Sequence, residues 1–167
     1  MRSGLIIAVE GVLIPGAGGT LEAGSTLAAE NLALAPGAGT MIQRLNLAKV
    51  VIVLVAARDY ADDLETALEL CGARSDFTSI RPAGWTPRLI LGLMRTADLD
   101  PATTWLCTCD DAAIDAAGSA GLAGVVLVGI DPPPGDHQCV VARAESLADA
   151  PRVMLPRGGG CWHTHQT

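Results

Sequence analysis

The stretch "KVVIVLVAA", residues 49 to 57, is a nearly unbroken run of β-branched and aliphatic residues with no polar alternation. An amphipathic helix would break such a run every third or fourth residue, and a strand open to water on one face would break it every second. A run this short and this uniformly apolar predicts a strand buried on both faces, as in a parallel sheet covered by helices. It cannot be a membrane span, because Lys49 and Arg58 bracket it well short of the roughly 18 to 20 apolar residues that a bilayer requires.

The rest of the chain can be organised around that strand. "GLIIAVE", 4 to 10, reads as a second buried strand, and residues 15 to 36, rich in Gly and Ala, as a loop or a minimal cap insertion. "PGAGTMIQRLNLAK" changes to helical spacing, with Met41, Leu45 and Leu47 expected inward. "DYADDLETALELCG" predicts a helix capped by Asp59, favoured by Asp62 and Asp63 at its positive end and stopped by Gly72. "FTSI" is a short strand, and "TPRLILGLMRTADL" a helix opened by Thr86 and Pro87. "TTWLCTC", 103 to 109, is a strand, "DDAAIDAAGSAG" a helix and "GVVLVGI" a strand. Beyond Pro132 "QCVVA" reads as a short strand and "SLADAP" as a short helix in an otherwise irregular tail.

Strand and helix thus alternate five times. Parallel neighbours need crossovers, so this alternation predicts a Rossmann-like three-layer α/β/α sandwich with a mainly parallel central sheet. Ligands of such sheets bind beyond the carboxyl ends of the strands. At 167 residues one core suffices, and the expected organisation is a single domain over 1–150 with an irregular, flexible tail over 151–167.

Charge narrows the partners. A net charge of −7 with a single lysine and scattered arginines argues against nucleic acid and against an anionic membrane surface, both of which need clustered cations. The N-terminal "MRSGLIIAVEGVLIPGAGG" has the Arg and apolar stretch of a secretion signal, but Glu10 interrupts it and the strand reading is better. Five cysteines, an odd number in a chain too large to need disulfides, point to a reducing, cytoplasmic setting. Few charges remain to cover the surface, which makes a homo-oligomer or a protein partner the expectation.

Three stretches carry a resemblance. "LIIAVEGVLIPG", "LALAPGAGTMIQRLNLAKVVIVLVAA" and "IRPAGWTPRLILGLMRTADLDPATTWLCTCDDAAIDAAGSAGLAGVVLVG" resemble the framework of the haloacid dehalogenase-like (HAD) superfamily. The likeness covers residues 5 to 130 and is greatest for its histidinol-phosphate and heptose-bisphosphate phosphatase branch. The resemblance implies four motifs at the ends of four strands. An Asp attacks phosphorus, and a second Asp two residues on protonates the leaving oxygen. A Ser or Thr and a Lys stabilise the transferring group, and acids after the fourth strand hold magnesium.

In this chain the motif slots are degenerate. Aligning on Gly11 puts Ala8 in the nucleophile slot and Glu10 in the acid slot. A methyl group cannot attack phosphorus. Glu10 could still donate a proton, though its extra methylene moves the carboxyl by about 1.5 Å, one carbon–carbon bond, and a displacement of ~1 Å can cost ~100-fold. The second slot holds Ala56, followed by Ala57 and Arg58, and the third holds Arg81 before Pro82. Either arginine could bind an anion, and a small phosphorylated ligand would suit a guanidinium's two parallel donors. The fourth motif has two registers. One keeps the "AAGSAG" helix in place and puts Cys109 and Ala113 in the metal slots, leaving no magnesium site. The other puts Asp111 and Asp115 there, with Asp110 to Asp115 a longer variant. In a purely structural role Asp110 and Asp111 would cap the helix.

The expectation is therefore a pseudophosphatase that binds a ligand or a protein in a regulatory or structural role, without a cofactor. The alternative is a metal-dependent phosphohydrolase in which Glu10, Asp110, Asp111 and Asp115 gather magnesium. A separate set in the tail, His137, Cys139, Cys161 and His163, with His165 nearby, has the thiolate and imidazole chemistry of a zinc site but x1 spacing within each pair.

Overall fold

The structure is a computed structural model that describes residues 1–14, 34–56, 61–70, 72–73, 77–80 and 84–151. In chain order the elements are β1 (Arg2–Ala8), α1 (Ala38–Leu47), β2 (Val51–Ala56), α2 (Ala61–Leu70), β3 (Phe77–Ile80), α3 (Pro87–Ala97), β4 (Leu99–Thr108), α4 (Ala113–Ser119), β5 (Gly124–Val128) and β6 (Val140–Ala144). A 3-10 turn, Leu147–Asp149, follows. The strands form one sheet in the order β3-β2-β1-β4-β5-β6, and every neighbouring pair is parallel.

That order makes the sheet doubly wound. From β1 the chain steps outward through β2 to β3, then returns across the sheet to β4 and continues outward through β5 to β6. Right-handed crossovers place the helices of the two excursions on opposite faces, α1 and α2 on one and α3 and α4 on the other. α3 packs on α4, as that arrangement requires. All six residues of β2 are buried, and Leu5 through Val9 are equally inaccessible. The uniform apolar runs thus mark the strands at the centre of the sheet.

Local signals set the helix ends. Thr86 Oγ1 accepts a hydrogen bond from Leu89 N at 3.1 Å and Pro87 opens α3, so cap and first turn are formed by adjacent residues. Gly72, at φ 69°, closes the chain after α2, and Gln43 Nε2 of α1 donates to its carbonyl at 2.6 Å.

Two expectations need correction. Leu47 does not face inward but is 84 % exposed. Met41 and Leu45, four residues apart, share the buried face of α1, whereas Leu47 lies about 200° around from Leu45 at 100° per residue. Second, the fourth strand begins at Leu99 rather than at Thr103. Its first residue, Leu99, pairs with Arg2 before the register shifts and resumes at Gly4 opposite Thr104. The short tail strand is β6, a full member of the sheet.

β4 anchors the core through side chains that fill the space above glycines of its neighbours. A Cβ on Gly4 would lie 2.6 Å from Leu99 Cδ1, and one on Gly124 would overlap the Trp105 indole, 2.7 Å from Cη2. Trp105 and Gly124 are register partners on β4 and β5, so the missing side chain of one makes room for the ring of the other.

Candidate functional site

The winding of the chain reverses between β1 and β4, and the crevice beyond their carboxyl ends is where an open α/β sheet admits ligands. β1 ends at Ala8, paired with Val55 of β2 and 4 % exposed. Val9 N then donates to Val55 O at 2.9 Å, and the chain curls tightly over the strand end. Leu13 N and Ile14 N both donate to Val9 O, at 3.0 and 2.9 Å, and Gly11 N donates to Ile14 O at 3.0 Å. Val12, Leu13 and Ile14 are buried in the core, which holds this loop against the sheet. Gly11 has φ 79°, a left-handed conformation that glycine adopts without steric cost.

Across the crevice, Cys109 is the first residue beyond β4. Its Sγ donates to the Glu10 carbonyl oxygen at 3.7 Å, and it occupies the space that a Cβ on Gly11 would fill. The first motif loop and the end of the fourth strand therefore meet through a thiol. Thr108, which sequence reasoning passed over, is buried, and its Oγ1 accepts from Asp110 N at 3.1 Å. A threonine inside an apolar strand was the available signal, since a buried hydroxyl has to find a partner.

The acids that follow serve the start of α4. Asp110 Oδ1 accepts from Ala112 N at 3.0 Å, and the carbonyls of Asp110 and Asp111 accept from Ala113 N at 3.2 Å and Ile114 N at 3.1 Å. Asp110 is half-buried, while Asp111 and Asp115 are exposed. Glu10 is half-buried, and Ala56 is buried at the end of β2 opposite Ile80. Arg58 and Arg81 lie outside the described residues. So do Cys161, His163 and His165 of the tail set. His137 Nε2 lies 3.0 Å from Pro133 O, and Cys139 is half-buried. Burial, and secondarily the charge of Asp115, hold the Cys139 thiol above its usual pKa. Among the described residues no three His, Cys, Asp or Glu side chains form a group able to hold a metal ion.

Cys107 lies two residues before Cys109, next to the last residue of β4, and is fully buried. Burial, with a smaller contribution from Cys109, pushes its thiol from 9.0 up to about 12. The unfolded chain loses this proton first, so above pH 9 it binds fewer protons than the folded chain. Folding stability should fall as pH rises from about 9 to about 12, by up to ~1.4 kcal/mol per pH unit, and Cys107→Ala should flatten that slope in alkaline urea titrations. In the native protein at pH 8 Cys107 should resist alkylation that labels it after unfolding, as read by peptide mass mapping.

The all-parallel, doubly wound sheet, with its loop and helix start converging at the β1–β4 switch, shares the α/β fold of solved HAD-like phosphatases and dehalogenases. Solved structures similar to the chain show this. D,D-heptose 1,7-bisphosphate phosphatase from B. bronchiseptica, crystallised with magnesium and phosphate, superposes with a TM-score of 0.67 at 19 % identity, over 91 % of this chain and 97 % of its own. The D,D-heptose 1,7-bisphosphate phosphatase from Burkholderia thailandensis gives 0.59 at 16 % identity, over 88 % and 94 %. An L-2-haloacid dehalogenase gives 0.51 at 18 % identity, over 71 % and 55 %. No family model matches the chain, and no curated protein matches it in sequence. Among the described residues no helix is long and apolar enough to cross a membrane.

Proposed function

We propose that this chain is a catalytically degenerate HAD-like protein, a pseudophosphatase that acts by binding a ligand or a protein partner in a regulatory or structural role. Ala8 carries the proposal. It ends β1 at the position where the resemblance implies the attacking carboxylate, and a methyl group can neither form a covalent phosphoryl intermediate nor move a proton. Ala56 in the second slot likewise offers no hydroxyl for the transferring group. A small phosphorylated ligand at the strand ends, held by Arg81 and Arg58, is the binding chemistry that fits a guanidinium. The thiols Cys107, Cys109 and Cys139 are compatible with a reducing, cytoplasmic setting.

The test is release of inorganic phosphate from a generic phosphomonoester, with and without millimolar magnesium. No release above the buffer blank is expected. Magnesium-dependent release abolished by Asp111→Asn would overturn the proposal in favour of a metal-dependent phosphohydrolase using Glu10 and the Asp110, Asp111 and Asp115 carboxylates. Zinc at His137, Cys139, Cys161 and His163 is a separate proposal, tested by the zinc content of the purified protein.

A further inference from the structure

We infer that the crevice between β1 and β4 is closed to the divalent cation that the resemblance implies, and that the Cys109 thiol instead ties the first loop to the end of β4. The inference rests on the noncatalytic role proposed above and explains how the site stays assembled without a metal.

Magnesium needs a nearly octahedral set of hard oxygen ligands at about 2.0 to 2.1 Å and gives up its water reluctantly. Thiol sulfur is a soft donor, suited to other metals. Around the strand ends, residue 8 contributes a methyl group. The residue directly after β4 contributes a thiol, whose Sγ lies 3.7 Å from the Glu10 carbonyl oxygen. That oxygen therefore faces sulfur. The same Sγ takes the space above Gly11. Of the carboxylates on these two segments, Glu10 is half-buried, Asp110 accepts from Ala112 N within its own turn, and Asp111 is exposed. Among the described residues no three His, Cys, Asp or Glu side chains gather here, so the described donor set does not fit a hard cation.

What the thiol supplies instead is mechanical. Here the sulfur fills the gap by contact, with a weak S–H donation to a neutral carbonyl. A side chain at residue 11 would expel it, so Gly11 and Cys109 operate as a pair.

Manganese, which favours the same oxygen ligands as magnesium, provides a readout independent of activity, because it broadens nearby amide resonances. Titration of the wild-type protein with manganese, alongside magnesium calorimetry, should give no saturable binding in the millimolar range and no selective broadening at Gly11 or Asp110. Cys109→Asp, checked for folding by circular dichroism, restores one hard ligand and should bind manganese about tenfold or more tighter than wild type. Saturable one-to-one binding to the wild type, with broadening centred on Gly11, would overturn the inference, as would a folded Cys109→Asp that binds no better than wild type. Should that variant not fold, the wild-type titration decides alone. Phosphate release measured in the same samples separates the two claims. Metal binding without turnover defeats the closed crevice and leaves the pseudophosphatase, whereas turnover defeats the pseudophosphatase.

Discussion

Trp105→Ala is expected to cost about 3 to 5 kcal/mol, which for a chain of this size lowers the melting temperature by roughly 6 to 20 °C. The indole is 2 % exposed and stands over Gly124 on the adjacent strand, with no side chain there to collapse into the vacancy. The reciprocal change, Gly124→Ala, drives a methyl into the ring and should cost about 1 to 3 kcal/mol by overpacking. Its backbone needs no unusual conformation, so the whole of that cost is steric. In the double variant the added methyl meets no ring, and the second substitution should be nearly free. A double-mutant cycle followed by thermal circular dichroism would show this as a coupling energy of about 1 kcal/mol or more. A loss below about 1 kcal/mol for Trp105→Ala alone, against the 3 to 5 kcal/mol usual for a buried Trp, would mean that the indole does not anchor the β4–β5 contact.

The second large effect is expected at Gly11. Gly11→Ala incurs two penalties with different origins. A left-handed backbone costs an L-residue about 1 to 2 kcal/mol, and the new Cβ overlaps Cys109 Sγ, which adds about 1 to 3 kcal/mol. Removing the sulfur with Cys109→Ala should recover the steric part while leaving the backbone part, so the double variant should be more stable than Gly11→Ala alone. Urea denaturation of the four proteins measures both terms. If Cys109→Ala made Gly11→Ala worse, the thiol would not be packed on the loop as described.

Much of the architecture was legible because its signals are local. "VVIVLVA" is apolar on both faces whichever strands flank it, so burial followed from the run itself. Thr86, Pro87 and Gly72 act on backbone groups within four residues, and each stands at the helix end that its chemistry predicts. Leu47 misled because an apolar residue at the last position of a helix fits an inward pattern only if the phase is counted, and nothing in the described structure covers it. The early start of β4 was invisible because residues 100 to 102 are Asp, Pro and Ala, which do not favour strands; the start depends on Leu99 pairing with Arg2, nearly a hundred residues away.

The candidate site divides along the same line. Alternation of buried runs with capped helices was enough to specify a parallel doubly wound sheet, because each crossover obeys sterics written into a few neighbouring residues. That residue 8 is an alanine could likewise be seen in the chain alone. Which of Cys109 and Asp111 faces the first loop could not, since one register keeps the "AAGSAG" helix in place and the other keeps two acids at the implied spacing. Folding decides it: pairing of Ile7 with Cys107 brings the end of β4 beside Gly11, and the Glu10–Cys109 contact closes across 99 residues of sequence. Only the glycine's missing side chain leaves room for the sulfur, and that fit exists only once β1 and β4 are neighbours.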